Sequence, residues 1–457
     1  MSIFIKCKIL LLGLLLCGIP ALAFESGGIY YNELTEGECE VTYPEEGEHY
    51  AGTITIPPTV EYEGAILKVT GIGSYAFAGS NGLNSVNLPG SITAIGRNAF
   101  QGCTGISGVS LPAGVTELGD QTFYGCTGLV SVNAEGVNTV RKSAFSGCSV
   151  LKTVKLSDYL LELGESAFRN CISLPEFVLT HSVELGEGVF YGCTALRKVD
   201  LGGLTSVPAY TFSGCTALKE VKGIEEVTDF GEYAFYTCTS LSDFDFGAVE
   251  YIGRNAFGFC SSLENINIAG DLAILHDSSF TGCVSIESIS LSGVYELGVE
   301  AFAGCESLET VSLGEDMKNI RERVFRNCPV ISFISCLASQ PPLTANNAFM
   351  SETYNTAFLE VPDDKSLLYM QTYPWAYFMN VQEVGVEAPE VDGAGLTIFS
   401  EGFNLNISGQ PGAVEVLSLN GLRIFNGSIN SDSLSVAVPA KGVYIVRHNF
   451  KTYKVNV

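Results

Sequence analysis

One phenylalanine recurs along most of this sequence at an almost constant spacing. Consecutive members are 22 or 23 residues apart and stand at positions 77, 100, 123, 145, 168, 190, 212, 235, 257, 280, 302 and 325. A period this regular is typical of stacked-coil proteins, in which one coil cannot bury its apolar face alone and must pack against its neighbours. The repeat therefore predicts an array of coils that share a continuous core.

Each phenylalanine is followed by the same landmarks. Three residues later comes a cysteine, except in the first coil, and Leu or Ile follows after six residues and a further apolar residue after nine. The cysteines are Cys103, Cys126, Cys148, Cys171, Cys193, Cys215, Cys238, Cys260, Cys283, Cys305 and Cys328. The period lies within the range of about 20–29 residues that is typical of leucine-rich repeats.

The segment from Leu83 to Leu88 predicts one short strand in each coil. Strict alternation directs Val86 and Leu88 inward and Ser85 and Asn87 outward. We expect the Ala-Phe segment to form a short helical or 3₁₀ turn on the opposite side, with the phenylalanine filling the interior.

The cysteine column has two interpretations. Equivalent residues of stacked coils keep their Cβ atoms about 5 Å apart, which exceeds the roughly 3.8 Å that a disulfide prefers. We therefore interpret the column as buried thiols, which behave as small apolar side chains with a weak donor. Disulfides in some coils are the alternative. Metal binding fits poorly, because metal ligands converge in clusters and do not occur singly in each coil.

The coil pattern I-G-x-x-A-F-x-G-C-x-x-L-x-x-V-x-L, of which Ile95 to Leu111 is one copy, resembles the BspA-like leucine-rich repeat family over residues 71–336. That family is found on secreted and cell-surface proteins of host-associated anaerobic bacteria. The resemblance implies an α/β fold, a right-handed solenoid of about twelve coils built from short parallel strands and short turns. It also implies adhesion to extracellular matrix proteins or to other cells.

The N-terminal segment indicates export. Lys6 and Lys8 precede an apolar run, and Ala21-Leu22-Ala23 is typical of a cleavage site, so residues 1–23 predict a secretory signal peptide. Lipid attachment at Cys17 is an alternative to simple cleavage. We expect the mature protein to be secreted or held on the outer surface of a bacterium, with a β cap at residues 24–70.

The other end of the array is also expected to carry a cap, at residues 337–384, because a terminal coil would otherwise expose its apolar surface. Five aromatic residues gather there: Tyr369, Tyr373, Trp375, Tyr377 and Phe378. Sealing the last coil is the favoured interpretation, and stacking on sugars is the alternative. The Gly, Pro and acidic content of residues 385–395 predicts a linker.

Short alternating segments fill residues 396–457. About seven of them follow one another, with Asn420-Gly421 as a hairpin signal, and together they predict an antiparallel β-sandwich. The module resembles the C-terminal sorting domains of type IX secretion, with Gly442 to Val446 and the closing Lys454-Val455 as its landmarks. A plain β domain without a sorting role is the alternative.

Composition and motifs exclude several function classes. The formal net charge of −26 argues against nucleic acid and anionic lipid surfaces as partners. The sequence holds no metalloprotease, hydrolase or P-loop motif, so we predict a monomeric, non-enzymatic protein with no catalytic, cofactor-binding or metal-binding residues. After residue 23, no apolar run approaches the ~20 residues that a membrane-spanning helix needs.

Charged residues concentrate on the outward strand positions of the middle coils. This predicted band consists of Lys152, Lys155, Glu176, Lys198, Asp200, Lys219, Glu220, Lys222, Asp243 and Asp245. We predict that a protein partner docks there, on the concave strand face. Cross-strand ion pairs that only balance charge would explain the same pattern. Glycan capture or a structural role in the envelope is the alternative function, although these strand columns lack the aromatic residues that sugars favour.

Overall fold

A computed structural model supplies the atomic description. It covers residues 23–35, 37–44, 49–247, 249–269, 273–383, 397–401, 404–408, 412–418, 423–429, 433–439, 443–448 and 451–456. The chain divides into two compact units, the first comprising residues 1–204 and 208–223 and the second residues 205–207 and 224–457. The predicted signal peptide, apart from Ala23, lies outside the described residues.

The first unit begins with a β-sheet in the segment that was expected to form a cap. The strands of this segment are β1 (Phe24–Ser26), β2 (Ile29–Thr35), β3 (Glu38–Thr42), β4 (Gly52–Thr55), β5 (Thr59–Tyr62) and β6 (Ala65–Ile72). The sheet order is β1-β2-β3-β6-β5, and β4 pairs in parallel with the first repeat strand. The cap therefore continues directly into the coils through backbone hydrogen bonds.

The coils of the first unit contribute strands to a main column, and most of them also contribute a strand to a shorter second column. The main strands are β7 (Leu83–Asn87), β9 (Gly108–Ser110), β11 (Ser131–Asn133), β13 (Thr153–Lys155), β15 (Glu176–Val178), β17 (Lys198–Asp200) and β19 (Glu220–Lys222). The second column holds β8 (Ala94–Ile95), β10 (Glu117–Leu118), β12 (Thr139–Val140), β14 (Glu162–Leu163) and β16 (Glu184–Leu185). Within the columns all pairings are parallel. These coils confirm the predicted leucine-rich-repeat solenoid.

Stacked phenylalanine rings fill the interior of the first unit. Ring centroids lie 5.4 Å apart between Phe123 and Phe145 and 5.1 Å apart between Phe145 and Phe168, with nearly parallel planes. All of these rings are buried. The turn that carries each ring is tied by i→i+3 bonds, such as the 3.1 Å bond from the Cys148 N–H to the Phe145 carbonyl, which is the 3₁₀ pattern.

The second unit is built from the same two kinds of strand column. Its main strands are β22 (Asn265–Asn267), β24 (Ser288–Leu291), β26 (Thr310–Leu313), β28 (Phe333–Cys336), β30 (Phe358–Val361) and β31 (Asn380–Glu383). Its second column holds β18 (Ser206–Val207), β20 (Asp229–Phe230), β21 (Tyr251–Ile252), β23 (Ala273–Leu275), β25 (Val294–Leu297), β27 (Asn319–Ile320) and β29 (Leu343–Thr344). The rings of Phe235 and Phe257 stack at 5.1 Å, as in the first unit.

Short helices close the last coil of the second unit. They are α1 (Ser351–Thr356), α2 (Ser366–Gln371) and a 3₁₀ turn at Trp375–Tyr377. Trp375 is buried and donates from its indole N–H to the Pro342 carbonyl at 3.0 Å, and the Tyr369 hydroxyl donates to the Ala338 carbonyl at 2.7 Å. Phe378 is buried as well, whereas Tyr373 and Tyr377 remain about half exposed. Three of the five aromatic residues therefore pack into the interior, and the role of the segment as a cap stays a prediction.

The C-terminal module is an antiparallel β-sandwich of two sheets, as predicted. Its strands are β32 (Thr397–Glu401), β33 (Asn404–Ser408), β34 (Gly412–Ser418), β35 (Arg423–Ile429), β36 (Ser433–Ala437), β37 (Val443–His448) and β38 (Lys451–Asn456). The sheet orders are β32-β33-β36 and β35-β34-β37-β38. Leu405, Ile407, Val414 and Val446 are fully buried in its core. The predicted linker and the Asn420-Gly421 turn lie outside the described residues.

Candidate functional site

The predicted charged band follows the outward positions of β13 to β19 in the first unit. Backbone register places Glu176 beside Lys198 and Lys198 beside Glu220 in one column. The neighbouring column sets Asp200 beside Lys222. Since parallel strands stack at about 4.8 Å, these side chains form a compact field of both signs on adjacent strands.

Glu220 lies at the centre of this field. Its carboxylate is 3.1 Å from the Lys222 ammonium and 3.7 Å from the Lys198 ammonium. Hydrogen bonding from Lys222, with the added charge of Lys198, lowers the pKa of Glu220 below its ordinary value. Because all three side chains are well exposed, these pairs contribute little to folding and leave the charges available to a partner.

The remaining residues of the band fall into different environments. Lys152 and Lys219 are exposed and make no ion pair in the part of the chain that the structure describes. Lys155 lies 3.7 Å from the Glu135 carboxylate, also at the surface. Asp200 serves the fold as well, because its carboxylate accepts the Gly202 N–H at 3.1 Å and thereby fixes a turn.

Two predicted residues, Asp243 and Asp245, belong to the second unit. They lie on residues 241–246, which form no strand, although both side chains are exposed. The Asp245 carboxylate accepts the Gly247 N–H at 2.9 Å, so it holds a turn in the same way as Asp200. The compact field is therefore described for the first unit alone, and the role of all ten residues in partner binding stays a prediction.

Two grooves open on the main strand column of the first unit. One, of about 660 Å³, is lined mainly by the small neutral residues of β7, β9 and β11. The other, of about 600 Å³, lies between β13 and β15, which are not hydrogen-bonded to each other. The second groove overlaps the charged band, because Lys152, Lys155 and Glu176 line it.

Sequence reasoning missed the second groove, although two signals for it were present. Pro175 occupies a position where other coils of this unit have residues with a backbone N–H. Val178 is an apolar residue in an outward column that otherwise holds Ser110, Asn133, Lys155, Asp200 and Lys222. Its side chain is 54% exposed.

The described ranges hold no group of three or more His, Cys, Asp or Glu side chains that could bind a metal ion. Within those same ranges, no helix is long and apolar enough to cross a lipid bilayer.

A family model described as BspA type leucine rich repeat region, with six copies, matches residues 65–175, 130–242 and 239–356. These matches cover more than half of the chain and coincide with the coils. The chain belongs to the BspA-type leucine-rich repeat family. No curated protein matches this BspA-type chain significantly.

Solved structures of bacterial leucine-rich repeat proteins resemble this BspA-type protein. A leucine-rich repeat protein from Bacteroides ovatus is 24% identical with a TM-score of 0.57, and the match covers 79% of this chain and 99% of that one. A leucine rich cell surface protein from Faecalibacterium prausnitzii is 20% identical, with a TM-score of 0.44 and coverages of 81% and 96%. The pneumococcal vaccine antigen PcpA is 17% identical, with a TM-score of 0.49 and coverages of 76% and 94%. The Bacteroides structure supports the fold.

Proposed function

We propose that this chain is a non-enzymatic bacterial protein, secreted or held on the outer cell surface, that binds a protein partner through the main strand column of its repeats. Repeat arrays bury the core between coils and leave one broad strand face for binding. The observation that carries the proposal is the field of exposed, alternating charge around Glu220, built in register on three adjacent strands. Charge of both signs sets partner choice and encounter rate more than it sets affinity.

The partner we propose is an extracellular matrix protein or a protein on another cell. The predicted signal peptide and the family support an extracellular site of action, and one structural relative is named as a cell surface protein. The outward residues of β15, β17 and β19 are charged or aliphatic, not aromatic, which favours a protein over a sugar. The C-terminal sandwich is proposed to route or anchor the chain and not to bind the partner.

The full chain should be tested against immobilised collagen, laminin, fibronectin and intact epithelial cells, with a glycan array run in parallel. We expect saturable binding to at least one protein surface, weakened by salt because the field is charged and exposed. Binding confined to the glycan array would replace the proposal with glycan capture. Absence of binding to every protein and cell surface would contradict the proposal.

A further inference from the structure

Most neighbouring coils of the first unit are joined by a backbone bond from the residue seven positions after a phenylalanine, although Ser107, at this position between the unpaired strands β7 and β9, makes no such bond in the structure as described. The Val130 N–H donates to Ser107 at 2.9 Å, and the Lys152 N–H donates to Val130 at 2.8 Å. In the next coil this residue is Pro175, which has no N–H to donate. The series resumes one coil later, where the Arg197 N–H donates to the Pro175 carbonyl at 2.8 Å.

A second recurring bond is missing at the same place. The N–H groups of Leu111, Ala134 and Leu179, each eleven residues after a phenylalanine, donate to the following coil at 2.8–3.0 Å. Leu156 is the equivalent residue between them, and its N–H makes no backbone bond to the following coil in the structure as described. Both bonds that would join β13 to β15 are therefore absent, and each strand has one unpaired edge.

The side chains at this interruption open the surface further. Phe177 replaces the valine that β11, β13 and β17 carry at the same inward position, and its ring lies 5.2 Å from Phe168 and 4.9 Å from Phe190. The valine of the preceding coil, Val154, is half-buried, whereas Val132 is 2% exposed. The missing bonds and the larger ring both lie at the groove of about 600 Å³ between the two strands.

We propose that this groove binds an extended segment of the protein partner, which adds a strand along the unpaired edges of β13 and β15. The inference rests on the proposed function and specifies how part of the partner is held. Unpaired strand edges are templates for an added strand, whose alternating N–H and C=O groups satisfy those of the edge. An extended polypeptide supplies that alternating row of donors and acceptors.

The lining of the groove indicates the composition of the segment. Lys152 and Lys155 line the groove together with Glu135 and Asp158, and Glu176 lines its β15 side. Side chains of an added strand would alternate between the two faces of the sheet, so its outward residues would meet charge of both signs. Its apolar side chains would pack on Val154 and on the exposed Val178, which gives the segment a mixed apolar and charged sequence.

The probe is a library of short random peptides displayed on phage and selected on the full chain. We expect the selected peptides to alternate apolar and charged residues. Their affinity should fall about tenfold for Val178→Lys and stay unchanged for Leu161→Lys, a matched control. Both side chains are exposed, at 54% and 59%, and Leu161 does not line the groove. Methylating the central backbone nitrogen of a selected peptide should weaken its binding by a similar factor, because it removes a donor.

Three outcomes would overturn the inference. The first is that the selected peptides bind the Val178→Lys variant with unchanged affinity. The second is that backbone methylation leaves their affinity unchanged, and the third is that the selection yields no binder. Sedimentation of the full chain tests whether a second copy of the chain fills the groove instead. A dimer that is lost in the Val178→Lys variant would show that it does. The proposed function is tested separately, because Lys198, Lys219 and Lys222 do not line the groove. If the identified partner binds Val178→Lys normally but not the variant reversed at those lysines, the function stands and the strand-addition inference fails.

Discussion

The thiol of Cys171 donates a hydrogen bond to the carbonyl oxygen of Phe145, one coil earlier, at 3.2 Å. The same carbonyl accepts the Cys148 N–H within its own coil at 3.1 Å. This arrangement recurs in both units, for example from Cys193 to Phe168 at 3.1 Å and from Cys283 to Phe257 at 3.1 Å. The repeated Phe-x-x-Cys spacing therefore positions a ring that stacks and a thiol that ties its coil to the preceding one.

Cys171→Ala should lower the free energy of unfolding by about 1–2 kcal/mol, because it removes a buried donor and leaves a small cavity. Cys171→Ser should cost less, since a hydroxyl keeps a donor for the Phe145 carbonyl. Denaturant unfolding of the two variants and the parent measures the difference. Equal stability of the alanine variant and the parent would show that the thiol bond contributes nothing.

The thiol column should also make the protein sensitive to alkali. Burial raises the pKa of Cys193 from 9.0 to about 12, and burial does the same for Cys283. A thiol with a raised pKa stabilises the fold fully below the unfolded pKa near 9 and loses that contribution as the pH rises toward 12. Over this pH range, each such thiol lowers the free energy of unfolding by up to roughly 1.4 kcal/mol per pH unit.

Thermal unfolding between pH 8 and pH 12 tests this effect. The midpoint should fall steeply above pH 9 in the parent and less steeply in the double variant Cys193→Ala and Cys283→Ala. Identical slopes would mean that these thiols do not ionise on unfolding.

Phe145→Ala should be far more damaging than any surface change. The ring is fully buried and stacks on both neighbours, so its loss should cost about 3–5 kcal/mol. Because each coil contacts only its neighbours, protease cleavage should appear first near this coil. Tyr159→Ala, at a side chain 77% exposed, is the control that should leave stability unchanged.

Pro175→Ala should let the interrupted ladder close by supplying the missing N–H. Hydrogen exchange at the Leu156 amide should then slow, most clearly when the variant is combined with Phe177→Val. Pro208→Ala, outside the main strands, should not change exchange at Leu156. Unaltered exchange in the combined variant would show that the interruption has another cause.

The repeat allowed the coils and the buried rings to be predicted, because the same landmarks recur at fixed intervals. The C-terminal sandwich could be predicted from its short segments that alternate with period two. The thiol bond to the preceding phenylalanine carbonyl could not be predicted, since it depends on atomic positions in two different coils. Asp200 and Asp245 were assigned to the charged band from their outward positions alone. Both also accept a glycine N–H two residues later, which the Asp-x-Gly spacing already indicated.

The interruption between β13 and β15 illustrates a different limit. Pro175 is visible in the sequence, but a proline on a short strand is tolerated at many edges and does not by itself predict a groove. The groove lies where the lost donor and the larger ring of Phe177 occur together, and only the packed structure brings the two into one place.

The most direct test of the central claim measures partner affinity after charge reversal on the strand field. The triple variant Lys198→Glu, Lys219→Glu and Lys222→Glu is compared with the control Lys68→Glu, Lys142→Glu and Lys318→Glu, which changes the net charge equally at other exposed positions. For the matrix or cell-surface protein that binds the full chain, the first variant should bind about tenfold more weakly at low salt. The difference should shrink as salt is added, and circular dichroism should show both variants folded. Equal affinity of the two folded variants at low salt would contradict the assignment of this face as the binding surface.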